Sequence, residues 1–395
     1  MPCVCPSKRL SRLSLKNNIM LSPKLFVDTL AAQGMDFYAG VPDSLLKYMC
    51  AYIADHLDTC HNVIAANEGA AVALAAGYHL ATGKTGVVYM QNSVEGNAIN
   101  PLASLVDGDA YAIPVLLLIG WRGRPGVHDE PQHGKQGKVT TGLLNVMGID
   151  YYVLSKDSDT AVRQIAKAAS VLHSGRVYAL VIEKDTFEPY TLQHTEENRL
   201  TLSREQAIQM VAGAVGPRDA IVSTTGMTSR ELFEYRASRG ESHERDFLTV
   251  GSMGHASQIA LGIALQQPDR RVWCFDGDGA TIMHMGSLAI VASKHPANLV
   301  HTIFNNGAHD SVGGQPTEGL YIDIPAIACA VGYADVYSVD TEQTLADTLA
   351  KIKDLKPEGP VLLEVKVRKG NRKDLGRPTT TPIENKQALI HFLSE

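Results

Sequence analysis

Residues 271–307 read RVWCFDGDGATIMHMGSLAIVASKHPANLVHTIFNNG. Two apolar runs, RVWCFD and LVHTIF, flank a segment with helical spacing, which predicts a strand, a helix and a second strand. Unbroken apolar strands are typical of a parallel sheet that has helices on both faces. Asp278 and Asn306 closely follow the two strands. Because open parallel sheets bind ligands at the carboxyl ends of their strands, these two side chains are candidate site residues.

The same alternation runs through the rest of the chain from Ser22 onward. Further short apolar runs alternate with Ala- and Gly-rich stretches of helical spacing, which predicts right-handed βαβ units. The other predicted strands are VVYM (87–90), VLLLIG (115–120), YALVIE (178–183), AIVST (220–224) and PVLLEVKV (360–367). The predicted fold class is α/β with doubly wound parallel sheets.

An internal repeat at an offset of 185 residues indicates that the fold is duplicated. NEGAAVALAAGYHLATGKTGVV (67–88) lies over SMGHASQIALGIALQQPDRRVW (252–273). The identities at this offset include Gly69/Gly254, Ala71/Ala256, Ala75/Ala260, Gly77/Gly262, Leu80/Leu265 and Val87/Val272. Apolar periodicity lapses in the polar stretch 191–205. We therefore predict two similar α/β domains, over residues 21–190 and 200–395, with no middle domain.

Composition and charge are those of an ordinary globular protein. The 395 residues are 45% hydrophobic and 20% charged, and the net charge is −6. No apolar run reaches the ~20 residues that span a bilayer. The acidic balance gives no reason to expect a nucleic-acid partner. The six cysteines lack metal-ligand spacing, so we expect reduced thiols in a cytoplasmic protein.

Residues 1–20 differ from the rest, because they hold four basic residues and no acidic residue. We expect a disordered N-terminal extension, with Met20 as an alternative start. A basic, Ser-rich and acid-poor segment is also typical of an organellar presequence, which is the alternative to a cytoplasmic location.

The residues that follow the two strands of 271–307 suit a metal ion. A carboxylate, an amide oxygen and a nearby backbone carbonyl are hard oxygen ligands, which Mg²⁺ prefers alongside water or phosphate. Gly277 and Gly279 allow close backbone approach, and the N-terminus of the following helix attracts an anion. The alternative for GDG alone is a turn without a ligand.

The order GDG, helix, strand and NNG resembles the cofactor-anchoring motif of thiamine-diphosphate enzymes. The resemblance implies that Asp278, Asn306 and the carbonyl of Ala308 bind Mg²⁺, with Asn305 as the alternative amide. The residues of the glycine turn that would bind the cofactor are Gly277, Asp278, Gly279 and Ala280.

Glu68 is the sole acid at the start of an otherwise apolar helix, after the predicted strand NVIAA. The resemblance implies that Glu68 bonds the pyrimidine ring of thiamine diphosphate, which suits a buried carboxyl with a raised pKa. At the repeat offset Glu68 meets Met253, which matches the apolar residue that bends the cofactor. The carbonyl of Gly251 matches the acceptor for the pyrimidine amine. The alternatives are a helix-end glutamate stabilised by the helix dipole and a core methionine.

The segment TTGMTSREL (224–232) opens a helix after a strand. It resembles the turn that holds the diphosphate in this family. The candidate residues in this turn are Thr225, Gly226, Thr228 and Ser229. In the family, the glutamate domain and the metal domain of one site come from different subunits, which implies a homodimer or a higher homo-oligomer.

Four segments resemble members of the family that decarboxylate 3-phosphonopyruvate, a small 2-oxo acid that carries a phosphonate. They are GVPDSLL (40–46), IGWRGRPGVHDEPQH (119–133), NNGAHDSVGGQPT (305–317) and KGNRKDLGRPTTTPIENK (369–386). The resemblance implies a carboxy-lyase that forms phosphonoacetaldehyde and CO₂. The alternatives are decarboxylation of sulfopyruvate or another small 2-oxo acid, and a non-catalytic α/β scaffold. A nicotinamide dehydrogenase is disfavoured, because no Gly-x-Gly-x-x-Gly lies between a strand and a helix.

A phosphonate dianion is best bound by arginine forks or a lysine. Basic residues are concentrated in the segment 366–377, so we predict that Arg372 or Arg377 contacts the phosphonate. The alternative is a solvated basic loop. The candidates for proton transfer near pH 7 are Asp43, His128, His133, His255 and His309.

One loop departs from the family pattern. Residues 91–97 read QNSVEGN, where QNSGLGN is expected. Val94 is β-branched and disfavours a positive φ, and Glu95 adds a charge near a presumed anionic site. We therefore expect weakened substrate affinity or activity if this loop lines the site.

Overall fold

The computed structural model describes residues 20–194 and 199–395. The predicted N-terminal extension falls on residues 1–19, which lie outside the described residues. The cytoplasmic location stays a prediction. Across the described ranges, no helix has both the length and the apolar character needed to cross a membrane.

The cysteines of the described part of the chain, Cys50, Cys60, Cys274 and Cys329, are free thiols, as predicted. The spacing of the cysteines in the sequence did not predict that Cys274 lies beside other side chains that can bind a metal ion. Cys274 shares the buried centre of the second sheet with Asp276 and His301, and one ligand atom of each lies within 4.8 Å of the others.

Six parallel strands form the first sheet. They are β1 (Phe37–Gly40), β2 (Asn62–Ile64), β3 (Gly86–Gln91), β4 (Val115–Gly120), β5 (Asp150–Val153) and β6 (Tyr178–Ile182). The helices of this half are α1 (Pro23–Ala32), α2 (Lys47–His56), α3 (Glu68–Thr82), α4 (Glu95–Ser104), α5 (His133–Val146) and α6 (Ser158–Leu172). The strand order is β2-β1-β3-β4-β6-β5.

Six parallel strands also form the second sheet. They are β7 (Ala220–Ser223), β8 (Asp246–Leu248), β9 (Val272–Gly277), β10 (Leu299–Asn305), β11 (Asp335–Val339) and β12 (Val361–Lys366). The helices are α7 (Arg204–Ala214), α8 (Met227–Ser238), α9 (Ala256–Gln266), α10 (Asp278–Met283), α11 (Gly286–Ser293), α12 (Ile324–Val331), α13 (Glu342–Asp354) and α14 (Pro382–Ser394). The strand order is β11-β12-β10-β9-β7-β8.

The two sheets have the same topology. The second sheet, taken from its other edge, has the order β8-β7-β9-β10-β12-β11, which is the order of the first sheet with each strand number raised by six. The prediction of two similar doubly wound parallel sheets is therefore confirmed.

Helices cover both faces of each sheet, which explains the unbroken apolar runs in the strands. In β4, Leu116 and Leu118 enter one hydrophobic core, whereas Leu117 and Ile119 enter the core on the opposite face. None of these four side chains is more than 1% exposed. Since burying one such side chain contributes roughly 1.5–3 kcal/mol, strands that pack on both faces are well stabilised.

Candidate active site

The carboxyl ends of both sheets line one cleft of about 1050 Å³. The segments that follow β1, β2, β3 and β4 contribute side chains from the first half of the chain, and those that follow β7, β8, β9 and β10 contribute from the second. In the first sheet, β2 lies on one side of β1 and β3 lies on the other, and β8 and β9 flank β7 in the same way. The order of the strands therefore reverses beside β1 and beside β7, and doubly wound sheets bind ligands at such points. The duplicated fold thus places two ligand-binding edges at a single cleft.

Glu68 is the first residue of α3, and its carboxyl group is buried in this cleft. Asn67 caps the helix by accepting a hydrogen bond from the Ala70 backbone N–H at 2.9 Å. Asn97 Nδ2 donates to Glu68 Oε2 at 2.8 Å, and Oε1 has no hydrogen-bond partner in the described residues. Burial raises the pKa of Glu68 above its ordinary value. A buried carboxyl with one unpartnered oxygen fits the ring nitrogen of a bound heterocycle.

Asp278 and Asn306 lie at the ends of the neighbouring strands β9 and β10. Both line the cleft with Ala308, and their side chains are buried, at 2% and 3% exposure. The Thr317 hydroxyl donates to Asp278 Oδ2, and burial raises the pKa of Asp278 to about 6. A buried carboxylate, an amide oxygen and a backbone carbonyl form a donor set that fits Mg²⁺.

The two consecutive asparagines have different surroundings. Asn305 Nδ2 donates to the Gly319 carbonyl at 2.6 Å and to Glu364 Oε1 at 2.7 Å, and Asn305 is not among the residues that line the cleft. Asn306 Oδ1 faces the Ala308 backbone N–H at 3.1 Å, beside the cleft. This geometry favours Asn306 as the amide ligand, which stays a prediction.

The start of α8 lies at the cleft, as the resemblance implied for a diphosphate-binding turn. Thr225, Gly226 and Thr228 line the cleft, and Gly226 has a φ of 98°, which favours glycine before the helix. Ser229 points away into the protein, because its hydroxyl donates to the Thr224 carbonyl at 2.7 Å. Ser229 therefore supports the turn from inside.

The other residues predicted to bind the cofactor also line the cleft. They are Gly251, Met253, Gly277, Gly279 and Ala280. The Gly251 backbone N–H donates to Thr225 Oγ1 at 3.1 Å, which ties the segment after β8 to the turn before α8.

The predicted histidines do not all reach the cleft. His133, His255 and His309 line it, whereas His128 is exposed and does not. Burial lowers the pKa of His309 to about 4, and burial followed by the charge of Arg122 lowers the pKa of His133. His133 and His309 are therefore neutral near pH 7.

Asp43 lies buried beside the cleft, and its side chain does not line it. Asp43 accepts hydrogen bonds from the Leu45 backbone N–H at 2.9 Å and from Gln91 Nε2 at 2.5 Å. Burial raises its pKa. Gly120 provides the space, because a Cβ atom there would lie 2.1 Å from Asp43 Oδ2. These contacts favour a supporting role for Asp43 at the end of β1.

Three cleft arginines, Arg122, Arg204 and Arg230, were not predicted from the sequence. Arg204 forms ion pairs with Glu231 at 2.8 Å and with Asp310 at 3.0 Å. Arg122 pairs with Asp129 through Nε at 2.8 Å and donates from Nη1 to Ser44 Oγ at 2.8 Å. Arg230 lies 3.9 Å from Glu130. Burial and then the charge of Arg377 lower the pKa of Arg230, which indicates crowding of positive charge at this end of the cleft.

The two predicted phosphonate-binding arginines have different positions. Arg377 lines the cleft, where Nη2 lies 2.5 Å from Glu130 Oε1. Arg372 does not line the cleft, and it forms ion pairs with Glu205 at 2.9 Å, with Asp374 at 3.3 Å and with Glu234. Arg377 is therefore the better candidate for contact with a bound anion.

The loop that departs from the family pattern lines the cleft. Val94 has a φ of −117°, so the expected strain of a β-branched residue at positive φ is absent. Glu95 begins α4, and burial raises its pKa to about 8. The expectation of an added negative charge is therefore wrong near pH 7, because a carboxyl with this pKa is mostly protonated there.

Comparisons with known proteins agree with this geometry. Residues 23–143 match the family description "Thiamine pyrophosphate enzyme, N-terminal TPP binding domain", and residues 224–365 match the corresponding C-terminal domain. Phosphonopyruvate decarboxylase of Streptomyces viridochromogenes is 35% identical, over 95% of this chain and 96% of that protein. Sulfopyruvate decarboxylase of Methanosarcina acetivorans is 26% identical, over 84% and 87%. Sulfopyruvate decarboxylase subunit beta of Methanothermobacter thermautotrophicus is 35% identical, over 44% and 85%. This chain belongs to the family of thiamine pyrophosphate (thiamine diphosphate) enzymes.

Proposed function

We propose that this chain decarboxylates 3-phosphonopyruvate to phosphonoacetaldehyde and CO₂, with thiamine diphosphate and Mg²⁺ as cofactors. The observation that carries the proposal is a single cleft that combines the family's cofactor residues with a group of arginines beside Asp129 and Glu130, namely Arg122, Arg230 and Arg377. Phosphonopyruvate decarboxylase relatives that match nearly the whole chain support the same substrate.

Residues of the cleft would hold each part of the cofactor. Glu68 would hold a proton at the pyrimidine ring, and the Gly251 carbonyl would accept from the ring amine. Asp278, Asn306 and the Ala308 carbonyl would hold Mg²⁺ at the diphosphate, beside the N-terminus of α8. When bound, thiamine diphosphate supplies an electron sink for cleavage of the bond to the carboxylate of a 2-oxo acid.

The arginines favour an anionic substituent on the substrate. Arg230 and Arg377 share Glu130, and Arg122 pairs with the adjacent Asp129. Three guanidinium groups and two carboxylates leave an excess of positive charge at one end of the cleft. A phosphonate dianion would accept paired hydrogen bonds from such forks, whereas pyruvate has no second anionic group beyond its carboxylate.

The proposal is tested by measuring CO₂ release from 3-phosphonopyruvate, 3-sulfopyruvate and pyruvate. We expect turnover of 3-phosphonopyruvate to be fastest, and to require both thiamine diphosphate and Mg²⁺ added to the apo-protein. Faster turnover of 3-sulfopyruvate would assign the sulfonate as the substrate. No turnover of any 2-oxo acid would favour the scaffold alternative.

Arg377→Lys is expected to raise KM for 3-phosphonopyruvate about tenfold, because lysine keeps the charge and loses the fork of a bidentate contact. KM for pyruvate should change little, since pyruvate carries no phosphonate. Arg372→Lys is the matched control, because Arg372 lies outside the cleft and should change neither value. Equal effects of Arg377→Lys on the two substrates would place phosphonate recognition elsewhere.

We propose further that the working unit is a homodimer or a higher homo-oligomer. One chain already supplies both halves of the cleft, so the cleft itself gives no support for an oligomer. The support comes from exposed apolar residues on the surface. Leu80 on α3 is 76% exposed, and Leu265, its counterpart at the repeat offset on α9, is 45% exposed. Gly77 and Gly262, also equivalent, have open space at their Cβ positions. Two equivalent apolar helix faces of small residues fit close packing against a second copy.

The variant Leu80→Glu/Leu265→Glu is expected to shift the chain from a dimer or larger species toward the monomer mass of 42.6 kDa. A charge buried at an apolar interface without a partner is strongly unfavourable. The measurement is sedimentation equilibrium, with Ile390→Glu on α14 as the control, because Ile390 is also exposed. A monomeric wild-type protein would contradict the proposal.

A further inference from the structure

Glu95 is a cleft residue for which the cofactor chemistry provides no role. It is the first residue of α4, and it is only 5% exposed although it lines the cleft. Its Oε1 atom has no hydrogen-bond partner in the described residues. Leucine is expected at this position in the family, so the carboxyl group is a feature of this chain. A buried polar atom without a partner beside a cleft indicates a contact that only a bound molecule completes.

No ion pair stabilises an ionised Glu95 among the described residues. From neighbouring elements, Glu68 on α3, His133 on α5 and Arg122 after β4 line the cleft. Glu68 and His133 are not cations near pH 7, and Arg122 is paired with Asp129. Lys135 and Lys138 on α5 are exposed. Burial raises the pKa of Glu95 to about 8, and a hydrogen bond with Thr140 opposes this shift.

The Thr140 hydroxyl is only a weak partner for an ionised Glu95. Thr140 Oγ1 donates to the Gln136 carbonyl at 2.7 Å and accepts from Asn92 Nδ2 at 2.9 Å. A hydroxyl has one proton to donate, and Thr140 directs it to Gln136, so the opposing effect of Thr140 on the pKa of Glu95 is smaller than that of burial.

We propose that Glu95 is a substrate-binding residue of this chain, which as an un-ionised carboxylic acid donates a hydrogen bond to an anionic group of the 2-oxo acid. This inference rests on the proposed function, because it needs an anionic substrate in the cleft. A carboxylic acid kept neutral by an apolar site is an effective donor to developing or full negative charge. Leucine could not make this contact.

The proposal has a definite dependence on pH. Below pH 8 Glu95 keeps its proton and donates to the anion. As the pH rises through 8, the donor is lost and the new carboxylate repels the anion. Since each pH unit above the pKa removes about nine-tenths of the protonated form, affinity should fall about tenfold by pH 9. The cleft arginines keep their charge over this range.

The test is isothermal titration of the holoenzyme with 3-phosphonopropionate, an unreactive analogue that carries the carboxylate and the phosphonate without the oxo group, at pH 7 and pH 9. The quantity compared is the ratio of the affinity at pH 7 to the affinity at pH 9. This ratio should be about tenfold larger in wild type than in Glu95→Gln, which keeps a donor that does not titrate. Glu95→Leu should bind about tenfold more weakly than wild type at pH 7. Ionisation of the phosphonate is common to the three proteins and cancels in the comparison.

Two results would overturn the inference alone. One is the same dependence on pH in wild type and Glu95→Gln, and the other is wild-type affinity at pH 7 in Glu95→Leu. If the wild-type enzyme neither binds 3-phosphonopropionate nor releases CO₂ from 3-phosphonopyruvate, the proposed function fails, and this inference fails with it. Circular dichroism of both variants establishes that they are folded.

Discussion

Asp278→Ala is expected to abolish retention of thiamine diphosphate and, with it, CO₂ release, while the fold stays intact. Asp278 is the only carboxylate in the proposed Mg²⁺ donor set, and the other two ligands are neutral oxygens. Loss of a side chain that hydrogen-bonds a metal ligand typically lowers metal affinity roughly 10- to 100-fold, and loss of a charged ligand itself should lower it further. The measurement is the rise in melting temperature when thiamine diphosphate and Mg²⁺ are added together, which should be large in wild type and absent in the variant.

Asp340→Ala provides the matched control for this prediction. Asp340 follows β11 at the same edge of the same sheet as Asp278, but it is exposed and does not line the cleft. This variant should keep the full response to both cofactors. If Asp278→Ala responded as wild type does, Asp278 would not be a metal ligand, and the GDG segment would be an ordinary turn.

Glu68→Gln is expected to lower kcat by roughly 10²-fold or more, with cofactor affinity near normal. Glutamine keeps the size of the side chain and a hydrogen bond to Asn97, but it has no acid proton to share with the pyrimidine ring. The buried position of Glu68 and its raised pKa suit proton sharing, and both are lost with the carboxyl group. Cofactor binding is measured by titration calorimetry, and kcat by CO₂ release at saturating substrate.

The control for Glu68→Gln separates this chemistry from an effect on the helix dipole. Glu342 is the first residue of α13, as Glu68 is of α3, but it is exposed and does not line the cleft. Glu342→Gln should leave kcat unchanged. Equal turnover in wild type and Glu68→Gln would mean that Glu68 only stabilises the start of its helix.

Several features could be predicted from the sequence because they depend on local patterns. The long apolar strand β4 was predicted with the bounds that it has in the structure, and β9 was predicted to within one residue at each end, since helices cover both faces of these strands. The short strands β1, β5, β8 and β11 were not predicted. Three of these are edge strands, and each has only three to five residues, which is too few for a clear periodicity.

The choice among candidate site residues depended on the packing of distant segments. The sequence indicated a basic segment near the C-terminus, but it could not show that Arg372 pairs with carboxylates from α7 and α8 while Arg377 reaches the cleft. Arg122 and Arg230 were missed for a related reason. They lie 108 positions apart in the sequence, and only the meeting of the two sheet edges brings both to Arg377.

The sequence by itself determined the duplicated α/β fold, the family and the cofactor motif, because each depends on residue types at fixed spacing in a strand, a turn or a helix. Only the tertiary structure decided the charge of Glu95 and the separate surroundings of Asn305 and Asn306. The physical reason is that pKa values and hydrogen-bond partners depend on burial, and burial is set by elements far apart in the chain. For Glu95 the decisive cause is burial, which raises its pKa, whereas the hydrogen bond with Thr140 of α5 lowers it by less.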